Sequence, residues 1–224
     1  MPTPQLFQVN MRKNKASLSS KLLTELDRFL KINSNQQTNS ANPLPSYVKT
    51  NYKLSAQELT QTKGLMRINH TGEICAQALY YGQALFAKDE TTYQHLIQAA
   101  DEEHDHLCWC QERLNDFETY TSVLNPFWYA SSFVMGATAA LLGDKISFGF
   151  VIEIEKQVEN HLQEHINQIP RQDTKTHAIL AQMKADEIRH GQNARDAGGV
   201  EFPKPIKSLM TAMSKVMKFI VYRL

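Results

Sequence analysis

Two copies of the pattern Glu-x-x-His, Glu103 to His106 and Glu187 to His190, lie inside the apolar stripes of helix-forming segments. No other feature constrains the chain as much, because it demands helices that turn acids and imidazoles toward a shared interior. In the first segment Leu96, Ala99, Ala100, Glu103, His106, Leu107 and Cys110 recur at three- and four-residue steps, the spacing that gathers side chains on one helix face. Leu180, Met183, Glu187, His190 and Ala194 do the same in the second. One such pair on a charged helix is ordinarily a solvated face. Two in apolar stripes need something that offsets the cost of burying ionisable groups.

Two further stripe carboxylates complete a set. Glu73 shares a face with Leu65, Ala76 and Tyr80, and Glu155 with Ile152, Leu162 and Ile166. Glu73 precedes Glu103 by 103 − 73 = 30 residues and Glu155 precedes Glu187 by 187 − 155 = 32, so two similar hairpins each supply a Glu and then a Glu-x-x-His. Four carboxylates and two imidazoles facing into a bundle suit two iron ions, with carboxylates bridging and one His on each ion. Zinc would favour thiolates or a smaller set. Four bare acids would be costly to bury, whereas two divalent cations neutralise them. The expected ligands are Glu73, Glu103, His106, Glu155, Glu187 and His190. Glu159, one turn after Glu155 on the same face, competes for its place, and His161 is a candidate pocket residue.

The rest of the chain fits an all-α reading. Its 224 residues suffice for one good-sized core. Helical periodicity runs over 14–33 and then over about 55–86, 91–118, 127–142, 146–168, 173–197 and 205–222, with breaks near 88–90, 125–126, 143–145, 170–173 and 198–205. Strand signals are weak. The polar, proline-bearing stretch 34–45 reads as a linker. The expected architecture is therefore a ferritin-like four-helix bundle with two extra helices, 127–142 and 205–222. Residues 1–50 form a helical extension and linker, and 51–224 the bundle.

Net charge is +1, which supplies no global field for nucleic acid. Basic character is local: residues 1–50 carry seven basic and two acidic side chains, seven minus two or +5, which marks a candidate docking segment. Three cysteines without a framework suit a reducing compartment. The opening MPTPQLFQVNMRKNK lacks a secretory pattern. Thr119 to Gly143 is uncharged, but Asn125, Pro126 and its hydroxyls argue for a buried or half-inserted helix in place of a span. In 205–222, Met210, Met213, Met217 and Phe219 alternate with Lys207, Lys215 and Lys218, the pattern of a helix lying in a lipid interface.

The stretch Gly64-Leu65-Met66-Arg67-Ile68-Asn69-His70-Thr71-Gly72-Glu73, then Glu103-His104-Asp105-His106, Glu155, and Asp186-Glu187-Ile188-Arg189-His190 resembles the demethoxyubiquinone hydroxylase family of ubiquinone biosynthesis. Pro126-Phe127-Trp128 and Ala139-Ala140-Leu141-Leu142-Gly143 are also similar to its pattern, and the likeness spans about Lys63 to Leu224. The resemblance places the fourth carboxylate on Glu155 in preference to Glu159. It implies a peripheral membrane monooxygenase that uses reduced di-iron and O2 to hydroxylate the benzoquinol ring of a polyprenylated ubiquinone precursor. Electrons would come from the quinol or from an external donor such as NADH, since no Gly-x-Gly-x-x-Gly follows a strand. Expected partners are the polyprenyl quinol, a membrane surface, and other ubiquinone-biosynthesis proteins or a second copy. The expected location is the cytoplasmic face of the cell membrane.

A ferritin-type ferroxidase would share the ligands but lack membrane-facing helices, and a di-iron tRNA hydroxylase would need a basic face. A helical scaffold with solvated acids would bind no iron. Cys108-Trp109-Cys110 points its thiols in different directions and reads as packing or surface. Cys75 reads as core filler, His70, His104, His161 and His165 as surface or pocket residues, and Arg67 as the partner of a carboxylate.

Overall fold

The computed structural model describes residues 18–33 and 40–224. Arg12, Lys13, Lys15, the expected helical positions 14–17 and linker positions 34–39 lie outside the described residues. The described chain is all-α: α1 (Leu18–Asn33), α2 (Ala56–Leu85), α3 (Glu90–Asp116), α4 (Asn125–Leu141), α5 (Asp144–Gln168), α6 (Thr174–Asp196) and α7 (Lys204–Val221). The ends fall within a few residues of the sequence periodicity because the caps are written locally. Ser55 opens α2 with a capping box, its hydroxyl accepting from Glu58 N at 3.3 Å while the Glu58 carboxylate accepts from Ser55 N at 2.8 Å. Asp89 and Asp173 cap α3 and α6. Gly143, at φ 114°, makes the turn between α4 and α5 in a region that favours glycine.

Helices α2, α3, α5 and α6 form the ferritin-like bundle, with α2–α3 and α5–α6 as its hairpins. Helix α4 lies along α2, and α7 touches α2 and α5. Thus α2 is buried around most of its circumference and has no clean amphipathic pattern. Its closest neighbour is α4. A Cβ on Gly136 would stand 2.1 Å from the Leu79 carbonyl oxygen, and one on Gly82 2.2 Å from that of Phe133, so the crossing requires glycine on both helices.

Two apolar clusters fill the bundle. One gathers Ile74, Leu79, Leu96, Phe148, Val151 and Ala194; the other gathers Met66, Trp109, Leu114, Leu162, Leu180 and Met183. On each bundle helix the expected ligand positions fall between them or at their edge, so this polar layer has core on both sides along the bundle.

The segment from residue 40 to α2 is pinned to the bundle. Backbone N–H groups of Ala41 and Asn42 donate to the Asp105 carboxylate at 2.6 and 3.2 Å, and the Trp109 indole donates to the Asn42 carbonyl at 3.3 Å. The Thr174 hydroxyl donates to the Val48 carbonyl. Among the described residues Arg67 pairs with no carboxylate. It donates to the carbonyls of Tyr120 and Tyr222, both at 3.1 Å, tying the α3–α4 loop and the C-terminus to α2. Among the described residues no helix is long and apolar enough to cross a membrane.

Candidate metal centre

The sequence stripes converge as their spacing requires. Ligand atoms of Glu73, Glu103, His106 and Glu187 lie within 4.8 Å of one another, as do those of Glu103, Glu155, Glu187 and His190, and all six residues are buried. Glu103 and Glu187 belong to both sets. Glu159 is half-buried and belongs to neither, so the structure brings Glu155 to the cluster.

The imidazoles are aimed alike. His106 Nδ1 lies 3.2 Å from Glu103, 3.5 Å from Glu73 and 3.5 Å from Glu187, and His190 Nδ1 lies 3.1 Å from Glu103 and 3.5 Å from Glu187. In each ring the outer nitrogen meets another acid: His106 Nε2 lies 3.2 Å from Asp186, and His190 Nε2 lies 2.7 Å from Glu102. Each of these acids immediately precedes the motif Glu of the opposite helix. Arg189 joins them, donating to Glu102 at 2.8 Å and to Asp186. The Tyr80 hydroxyl donates to Glu155 Oε1. Sequence reasoning gave none of the four this role. For Glu102 and Asp186 the available signal was the repeated acid one position before each Glu-x-x-His, which looks like surface until the helices are paired.

Electrostatics follow from burial. Burial pushes the carboxyls of Glu73 and Glu155 well above the usual range. Burial would raise Glu103 as well, but the His106 and His190 imidazoles beside it outweigh it and hold this carboxyl low. Desolvation disfavours charge on His106 and His190. Asp186 and Glu102 nevertheless lead the acids that hold both rings above the ordinary imidazole range. Its hydrogen bond with His190 brings Glu102 down to about 2. Burial keeps the Tyr80 phenol protonated, hence a donor.

Glu103 Oε1, Glu155 Oε2, Glu187 Oε2 and His190 Nδ1 are buried without a hydrogen-bond partner. Orphaned acceptors cost several kcal/mol in an apolar core, and here they face one another. Carboxylate oxygens and inward Nδ1 atoms form a donor set able to hold metal ions.

Two cavities flank the seam where α3 and α6 meet. One of about 400 Å³ is lined by Tyr80, Leu96, Glu102, Phe148, Val151 and His190. The other, about 350 Å³, lies between Asn42 and Pro43 on one side and Asp105, His106 and Asp186 on the other.

The remaining sequence candidates separate cleanly. His70, His161 and His165 are buried and not on the surface; His165 Nδ1 meets the Asn69 side-chain oxygen at 2.8 Å. They lie outside both ligand sets. Among the described residues the cysteines form no disulfide; Cys108 Sγ lies 3.6 Å from His104 Nε2, and Cys110 packs against Met183.

Residues 60–220 match the family model described as Ubiquinone biosynthesis protein COQ7. The chain is 55% identical over 172 residues to a 3-demethoxyubiquinol 3-hydroxylase of Ralstonia pickettii (strain 12J), covering 77% of this chain and 79% of that protein. It is 47% identical over 208 residues to one of Stutzerimonas stutzeri (strain A1501), covering 93% and 97% respectively. A relative of the same description from Francisella philomiragia is 46% identical over 214 residues, 93% of this chain and 99% of its own. With the family model spanning most of the bundle and these identities sustained along nearly the full length, the chain belongs to the COQ7 family of ubiquinone biosynthesis proteins.

Proposed function

We propose that this chain is a 3-demethoxyubiquinol 3-hydroxylase whose centre is a pair of iron ions, with O2 as co-substrate. The observation that carries the reading is the sharing of Glu103 and Glu187 between two buried ligand sets. Glu73 and His106 would help to hold one iron ion and Glu155 and His190 the other, with Glu103 and Glu187 available to both. When bound, the iron pair supplies the reductive activation of O2 that ring hydroxylation needs.

The chain's own residues do the rest. Asp186 and Glu102 hold His106 and His190 with Nδ1 inward, and Tyr80 holds one oxygen of Glu155 so that the other faces the centre. The flanking apolar clusters exclude water along the bundle axis. Electrons come from the quinol or from an external donor such as NADH.

A polyprenyl quinol requires a lipid-facing surface, and α4 and α7 are suited to one. On α4, Phe127, Val134 and Leu141 are exposed, while the Ser131 and Thr138 hydroxyls donate back to the Phe127 and Val134 carbonyls, so neither presents a free donor outward. On α7, Ile206, Leu209, Met213, Val216 and Phe219 form an exposed stripe beside Lys215. Both helices rest on the α2–α5 side of the bundle, away from the charged α3–α6 seam.

The test is direct. Reduced, iron-loaded protein, given a short-chain demethoxyubiquinol and O2, should yield a product heavier by one oxygen atom in mass spectrometry. No product from protein carrying its full iron complement would overturn the hydroxylase reading.

A further inference from the structure

Helix α1 lies outside the residues matched by the family model, yet its surface has an unmet requirement. Only part of its apolar circumference is used. Phe29 and Ile32 pack against the first core cluster, Phe29 meeting Tyr129 of α4 edge-to-face with ring centroids 5.2 Å apart, and Arg28 lies over the Tyr81 ring at 4.2 Å. The adjoining strip, Leu22, Leu23, Leu26 and Leu30, is exposed at 48%, 67%, 53% and 56%. These residues recur at one- and four-residue steps on a single helix face.

We infer that α1 is a third membrane-docking element, whose leucine strip enters an anionic lipid surface. The inference rests on the docking reading given above for α4 and α7. Charge selects the occupant. Residues 1–50 carry seven basic and two acidic side chains, a net +5, which attracts an anionic leaflet and opposes close approach of the same segment on a second copy. Position agrees: α1 packs beside α4, whose outward face is the apolar one with its two hydroxyls turned back onto the helix. Within α1 Arg28 and Lys31 are ion-paired with Glu25 and Asp27, so most of the excess basic charge lies in the sequence on either side of the helix, at Arg12, Lys13, Lys15 and Lys49, and a leucine face flanked by basic residues is a pattern of interfacial binding.

The full chain is tested by co-sedimentation with phosphatidylcholine vesicles containing phosphatidylglycerol. Leu23→Asp with Leu26→Asp should lower partitioning by about tenfold, with an unchanged helical circular-dichroism spectrum and an unchanged sedimentation coefficient in the absence of lipid. Lys215→Glu with Lys218→Glu is run alongside. Weakened binding in the α7 variant with none in the α1 variant overturns this inference alone. Wild-type binding in both overturns the docking reading with it. A lipid-free dimer that the α1 variant turns into monomer assigns the leucine strip to self-association and overturns the inference as well.

Discussion

Asp186 Oδ2 stands 3.2 Å from His106 Nε2, on the side of the ring away from the buried carboxylates. The acid comes from α6 and the imidazole from α3. Glu102 on α3 repeats the arrangement in reverse, 2.7 Å from His190 Nε2 on α6. Each motif thus holds the histidine of the other, and proton placement on Nε2 leaves Nδ1 free as a ligand. Asp186→Ala or Glu102→Ala should lower iron affinity by roughly 10–100-fold with the helices intact. Chelator competition reads this out. Wild-type affinity in both variants would show that neither acid orients its ring.

Removal of a residue from the buried cluster itself should act more severely. Glu187 belongs to both ligand sets and His106 to one. Glu187→Ala should therefore deplete both iron positions, whereas His106→Ala should deplete one more than the other. Iron stoichiometry on protein with a preserved helical spectrum measures it. Unchanged stoichiometry in both variants would remove these residues from the ligand set.

What the sequence disclosed and what it hid have physical reasons. Glu103, His106, Glu187 and His190 were legible because α3 and α6 each bury one face, so ionisable residues in the apolar stripe stand out. Asp186 and Glu102 were not, since a partly exposed acid on a charged helix differs from its neighbours only through what lies across the seam. Asn42 sits in a proline-bearing polar stretch with no period to read, yet its backbone and side chain satisfy Asp105. His70 looked like surface or pocket because no stripe predicts that α2 is enclosed on nearly all sides, and His161 and His165 did because their neighbours across α5, Asn69 of α2 and Lys218 of α7, are distant in sequence. The turn chemistry was local, and it placed the helix ends well.

The α2–α4 crossing gives a stability prediction with an internal control. Gly136→Ala would put a methyl 2.1 Å from the Leu79 carbonyl oxygen, a backbone atom that cannot swing aside. The helices must separate, and overpacking of this kind costs about 1–3 kcal/mol. Gly72 is also helical, but a Cβ there meets nothing within 4 Å. Gly72→Ala should leave stability unchanged or raise it by up to about 1 kcal/mol, the helix propensity difference. Denaturant midpoints compare the two. Equal midpoints for Gly136→Ala and wild type would mean the crossing is looser than its geometry.

The buried histidines set a pH limit. Burial lowers His70 and His165 from 6.5 to about 4, and it holds His161 well below the usual imidazole range, helped by the neighbouring His165 and Lys218. In the unfolded chain these rings protonate near 6.5, while in the folded chain they stay neutral until about 4 for His70 and His165. Between those values the unfolded state binds more protons, so stability is full above 6.5 and falls as pH drops toward 4. Below that, the penalty is constant. A shift of this size corresponds to about 3 kcal/mol for one ring, at about 1.4 kcal/mol per pH unit. His165→Gln keeps an amide that can bond to Asn69 and removes one titrating group. Its unfolding free energy should therefore fall less steeply than that of wild type across this window, by the slope of one proton. Measuring both proteins in the same metal-free buffers cancels the contributions of His106, His190 and the acids around them. Parallel curves would mean that His165 is solvated or already paired with a proton in the folded chain, and that acid sensitivity arises elsewhere.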